Sequence, residues 1–113
     1  MKTIRVRFRK ENKDIFDAIR IGSKKVETRA GTVRYQNIKA GDEILFVCGE
    51  DQFYKKVRKV KTFRSIGGLL IQYKPKEIHP EMKSADALGK LYKSFPGYTK
   101  KIKKFGLIAF ELR

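Results

Sequence analysis

The sequence predicts a mixed α+β domain in which a few short helices flank a curled sheet or small barrel. Three observations carry this. Strand-like runs with period-two alternation open and close the chain, and more lie between them. Two stretches with apolar residues at helical spacing sit among them, each with a capping residue before it and a glycine or Pro-Gly after it. The length of 113 residues fits one domain, residues 1–113, with no repeat and no linker.

Thr3 to Arg9 alternates, with Ile4, Val6 and Phe8 on one face and Arg5, Arg7 and Arg9 on the other. That face of arginines is either a solvated exterior or a surface turned toward a ligand. Asn12 is placed to cap a helix, with Asp14 in its first turn. Ile15, Phe16, Ala18 and Ile19 follow at helical spacing, and Gly22 ends the run. An extended segment then carries Lys25, Glu27 and Arg29 on one face and Lys24, Val26 and Thr28 on the other. A turn or bulge near Lys24 is needed to bring Lys24 and Glu27 together.

Gly31 to Gly41 reads as loop, and Gly41-Asp42 as a turn into a strand from Glu43 to Cys48. Gly49-Glu50-Asp51 turns the chain back. Phe53 to Phe63 forms a long basic strand whose Val57–Val60 spacing marks an irregularity near Arg58. Ser65 caps a short helical turn over Ile66 to Ile71. Lys74 to Lys83, holding Pro75 and Pro80, reads as largely irregular. Ser84 caps a helix with Leu88, Leu91, Tyr92 and Phe95 on one face, and Pro96-Gly97 stops it. A cluster of Lys100, Lys101, Lys103 and Lys104 precedes the last strand, Phe105 to Leu112.

The net charge of +16 draws polyanions from a distance, and 35% charged residues exceeds the usual share of about 25%. RNA or a nucleotide is the favoured partner. No helix pattern is rich enough in large apolar residues to lie on a bilayer, and no run of apolar residues is long enough to span one. A membrane partner is therefore not expected. A single cysteine, Cys48, sits in an apolar run and forms no internal bridge. With no signal peptide at the start, a cytoplasmic location is expected.

Among residues that bear chemistry, Lys24, Glu27 and Arg29 stand close together after the first helix. Lys24 beside a carboxylate is a plain ion pair, a phosphate ligand, or, if burial lowers its pKa, a base. Glu27 either orients Lys24 or Arg29 or accepts from a nucleobase amino group. Arg29 offers a planar fork for a phosphate or base edge, or clamps a carboxylate within the fold. Glu81 is a loop carboxylate that would complete an acid–base pair with Lys24. Glu77, His79 and Glu81 lack a second histidine or a cysteine nearby, so no metal site is expected, and His79 reads as a surface loop residue. Tyr98, like Tyr35, Tyr54 and Tyr73, lies among basic residues where an exposed ring stacks on bases.

The segment Gly22-Ser23-Lys24-Lys25-Val26-Glu27-Thr28-Arg29 resembles the Gly-x-Lys-x-x-Glu-x-Arg signature of the ASCH domain family. The helix before it, the Gly41-Asp42 turn, Pro96-Gly97 and the closing Gly106–Leu112 run are similar to that family as well, so the likeness spans nearly the whole chain. The resemblance implies a PUA-like small curved β-barrel flanked by short helices, with a cleft beside the barrel that holds RNA or a nucleotide. It gives Lys24, Glu27 and Arg29 that binding role. Some small bacterial members are amidohydrolases that remove the acetyl group of N4-acetylcytidine with a lysine, a threonine and a glutamate. Lys24 matches the lysine, Glu27 occupies the threonine position, and Glu81 is the nearest match to the glutamate.

Three functions follow as expectations. The first is an RNA-binding domain whose ligand contacts are Lys24, Glu27, Arg29, Arg5, Arg7 and Tyr98. The second is a small hydrolase of RNA or an acylated nucleoside, with Lys24, Glu27 and Glu81 as its acid–base set. The third is a basic accessory domain that docks on a ribonucleoprotein through Lys55, Lys59 and Lys101. None requires a cofactor, and a monomer is the expected state.

Overall fold

The computed structural model describes residues 2–113. Five strands form one curled sheet in the order β1-β3-β4-β5-β2: β1 is Thr3–Arg7, β2 Val26–Ala30, β3 Glu43–Cys48, β4 Asp51–Phe63 and β5 Leu107–Leu112. β1 runs parallel to β3, and the other neighbours are antiparallel. β1 and β2 are the two edges and do not pair with each other, so the sheet is a half-barrel with an open side.

β4 makes the curl. Its first half pairs with β3 across a tight turn at Gly49 and Glu50, and its second half pairs with β5. The register shifts between Val57 and Lys59, so Arg58 is the extra residue of a bulge. A bulge bends its strand and increases twist. The irregular Val57–Val60 spacing is the trace of this corner in the sequence.

The concave side encloses an apolar core that includes Val6, Phe16, Ile19, Ile44, Phe46, Val57, Ile108 and Phe110. α1 (Lys13–Ile21) contributes Phe16 and Ile19 from its buried stripe. A second core lies on the other side of β2 and β5, where Val26, Leu107 and Ala109 meet the remaining helices. These are α3 (Ile66–Gln72), α4 (Pro75–Ile78), α5 (Ala85–Ser94) and α6 (Tyr98–Phe105); a single turn, α2 (Val33–Gln36), lies apart from them. Ser65 Oγ accepts from the Gly68 N–H and Ser84 Oγ from the Ala87 N–H, so both serines act as caps.

Several helical details differ from the sequence reading. Asn12 makes no side-chain cap, because a 3-10 turn at Lys10–Asn12 leads into α1 and leaves its backbone outside the extended region a cap needs. The 31–41 loop contains α2. The stretch read as irregular contains α4, since Pro75 sits at the first helical position, where its missing N–H costs nothing. The lysine cluster before β5 is itself helical, forming α6 after the left-handed Gly97. Among the described residues, no helix is long and apolar enough to cross a membrane.

Candidate nucleotide-binding cleft

The sequence between α1 and β2 explains where Lys24 points. Gly22 adopts φ 87°, and the Lys24 N–H folds back onto the Ala18 carbonyl at 3.0 Å. Lys24 therefore lies in a turn ahead of the strand, and the alternation of β2 does not apply to it. Its side chain is 3% exposed. Nζ donates to the Val26 carbonyl at 2.5 Å and to the Ile78 carbonyl of α4, and lies 3.6 Å from Glu27 Oε1. Burial lowers the Lys24 pKa; Glu27 opposes that shift, and Arg29 adds to it.

Within β2 the alternation holds. Glu27 pairs with Phe110 and Arg29 with Ile108, so both point to the concave side. Because β2 is an edge, they project into the opening of the half-barrel. Glu27 Oε1 accepts from the Thr28 N–H at 2.9 Å, and Oε2 lies 3.4 Å from Arg29 Nη2. The Arg29 guanidinium also stands 5.0 Å from the ring centre of Phe8, which follows the opposite edge strand. Burial works against the Arg29 charge, but Glu27, Tyr35 and Tyr98 together outweigh it and raise the pKa. Thr28 faces the other way, as an adjacent strand residue must, and hydrogen-bonds the Tyr92 hydroxyl.

These residues line a cleft of about 550 Å³ that fills the open side of the sheet. Arg7, Arg9 and Lys101 lie in its walls with Lys24 and Arg29, against the two carboxylates Glu11 and Glu27. Its aromatic wall comes from Phe8, Tyr92, Phe95 and Tyr98. The Tyr92 and Tyr98 rings stack at 5.8 Å, and Phe95 meets Tyr98 edge-on at 5.6 Å. Burial raises the pKa of both tyrosine hydroxyls, which keeps them protonated as donors.

Of the residues named from sequence, Lys24, Glu27, Arg29, Arg7 and Tyr98 come together here. Arg5 does not: it is exposed beyond the cleft, and its carbonyl accepts from Arg34. Glu81 is also exposed and absent from the walls, so it forms no pair with Lys24. The turn after α4 brings in His79 instead, which is 7% exposed rather than a surface residue. The Glu81 N–H donates to His79 Nδ1 at 3.2 Å. That bond assigns the proton of the neutral ring to Nε2. Among the described residues no fully buried side-chain nitrogen or oxygen lacks a partner. Among these residues Nε2 has none, so it is not fully buried, and His79 itself lines the cleft. In sequence, His79 carried no periodic signal beyond its apolar neighbour Ile78.

No family model matches the chain, and no curated protein matches it. Solved structures are similar to it, two of them over nearly the whole chain. One is the crystal structure of the hypothetical protein PH0355, with TM-score 0.79 and 24% identity over 100% of this chain and 98% of that one. The other is the solution structure of PF0455 from Pyrococcus furiosus, with TM-score 0.73 and 23% identity over 99% of this chain and 94% of that one. At such identity the likeness shows the fold alone.

Proposed function

We propose that this chain is an ASCH-like, PUA-like RNA-binding domain whose cleft holds one unstacked nucleotide of a single strand. The observation that carries the reading is the Glu27–Arg29 pair, held at 3.4 Å at the open edge of the sheet between an aromatic wall and a basic rim. A volume of about 550 Å³ lies within the range of small-ligand sites, roughly 300–1,000 Å³. Glu27 is acceptor-only and suits a base amino group, while the remaining Arg29 donors suit a base carbonyl or phosphate. Tyr98 and Phe95 offer stacking surface, and Arg7, Arg9 and Lys101 suit the flanking phosphates.

Lys24 supports this reading as a strut. Two of its ammonium protons go to backbone carbonyls and the third faces Glu27. It fixes the acceptor that reads the base and ties α4, and with it His79, to β2.

The test is RNA affinity against salt for the parent and for Lys24→Ala with Arg29→Ala. We expect binding by the parent to weaken about tenfold or more in the double variant, as loss of a good two-pronged contact does. Equal affinity of parent and variant rejects the site.

The lowered Lys24 pKa favours one second reading, a hydrolase of an acylated nucleoside such as N4-acetylcytidine in which Lys24 is the base and Glu27 its partner. That chemistry requires Lys24 to release its carbonyl partners when substrate binds. Product analysis after incubation with acetylated cytidine decides it: turnover lost in Lys24→Ala supports it, and no turnover by the parent ends it.

A further inference from the structure

A second hollow lies on the far side of α6, bounded by the end of β4 and the start of β5. Arg64, Lys103 and Lys104 line it and no carboxylate does. None of the three belongs to an ion pair among the described residues. Phe105 sits among them, 40% exposed, with the Lys104 ammonium 5.2 Å from its ring centre.

The backbone beneath that ring is clamped. A Cβ at Gly106 would come within 2.4 Å of the Phe63 carbonyl oxygen, and one at Gly31 within 2.6 Å of the Phe105 carbonyl oxygen. The Gly31 N–H also donates to the Gly106 carbonyl at 2.9 Å. Phe105 is thus a partly exposed apolar ring on a fixed segment, beside cations that form no ion pair among the described residues.

We infer that this hollow is a second subsite for single-stranded RNA, in which Phe105 stacks a base and Arg64, Lys103 and Lys104 hold adjoining phosphates; it rests on the reading of the cleft as a nucleotide site. α6 joins the two, because Tyr98 and Lys101 line the cleft and Lys103, Lys104 and Phe105 line the hollow. Its eight residues span about 12 Å at about 1.5 Å each. At about 3.4 Å per stacked nucleotide, three or four nucleotides cover that distance. A duplex backbone uses cations alone, whereas an exposed ring among cations suits unstacked bases.

Binding of a uridine dinucleotide, too short to reach the hollow from the cleft, reports on the cleft, and the affinity gained by an octanucleotide reports on the hollow. We expect the octamer to bind about tenfold tighter or more, as linked subsites do. In the triple variant Arg64→Gln, Lys103→Gln, Lys104→Gln that gain should shrink to about threefold or less. Its log affinity should lose about 2 from the slope against log salt, at about 0.7 per phosphate of a single strand. Phe105→Leu keeps an apolar side chain but removes the stacking face, and should cut the gain about fivefold without changing the slope. A length-dependent gain unaltered by either change overturns the inference. So does loss in the triple variant alone with duplex RNA binding equally well, which marks unspecific attraction. Dinucleotide binding that ignores Lys24→Ala with Arg29→Ala defeats the cleft reading separately. Failure of both oligomers to bind overturns the two together.

Discussion

The two faces of the β2–β5 pair are built from the same alternating strands but by different physics. Toward the inside of the curl, Ile108 and Phe110 join a dry core of aliphatic and aromatic residues. Toward the helices, Leu107 and Ala109 share their face with polar contacts. Tyr73 donates to Glu111 Oε2 at 2.6 Å, and Thr28 bonds the Tyr92 hydroxyl. The inner side is covered largely by the sheet's own curvature. The outer side is covered by short helices whose narrow apolar stripes leave polar groups to be matched. The cleft lies where the two meet, at the open edge, so it draws Glu27 and Arg29 from one face and Thr28, Tyr92 and His79 from the other.

The largest effect that would break this comparison is in stability. Phe46 is fully buried in the inner core and stacks on Phe53 at 5.2 Å. Phe46→Ala should cost about 3–5 kcal/mol, lost contacts plus a cavity. Tyr92→Phe keeps the ring of the outer layer and removes only the bond to Thr28, at about 1 kcal/mol. Urea unfolding of both variants measures the gap. Equal losses would mean that the two layers are not held by different interactions.

The same contrast explains what the sequence revealed. The strands facing the inner core were legible because one face of each is apolar, as in Ile4-Val6-Phe8, and the bulge at Arg58 showed as a break in period. The outer layer was harder to read. α6 buries Ile102 within a run of lysines, so it looked like a charged cluster. Pro75 looked like a breaker although it begins α4. Lys24, Glu27 and Arg29 were visible as a set, but their convergence depends on the turn at Gly22, and strand alternation alone argues against it. Glu81 reads in sequence as a loop carboxylate that would pair with Lys24, yet only the fold decides which of two neighbouring loop side chains turns inward. The histidine is the one that does.

His79 belongs to the outer layer but addresses the cleft, which makes it a sharper probe. Asn can keep the acceptor for the Glu81 N–H and lose the Nε2 donor, while Gln can reach the Nε2 position and lose that anchor. If His79 donates to a ligand, His79→Asn should weaken RNA binding about tenfold, or ~1.4 kcal/mol, with little change in melting temperature. His79→Gln should retain most of the affinity. The reverse pattern would make His79 a structural pin for α4, acting only on the fold.

The smallest effect is a slope in pH, and it separates the buried cation from the dry core beside it. Burial lowers the Lys24 pKa in the folded chain, whereas the unfolded value is about 10.4. Between those values the unfolded chain binds more protons, so stability rises with pH. Below the folded value the whole cost of holding a buried ammonium is present. Tyr73, Tyr92 and Tyr98 act in the opposite sense, since burial raises their pKa and the unfolded phenols ionise first, near pH 10. Urea unfolding at several pH values from about 7 up to about 10 avoids most of that loss. Across the window the parent should gain stability relative to Lys24→Met, which has no proton to release. Parallel curves would show that Glu27 balances the burial of Lys24, leaving a neutral-cost strut in place of a strained charge at the rim of the apolar interior.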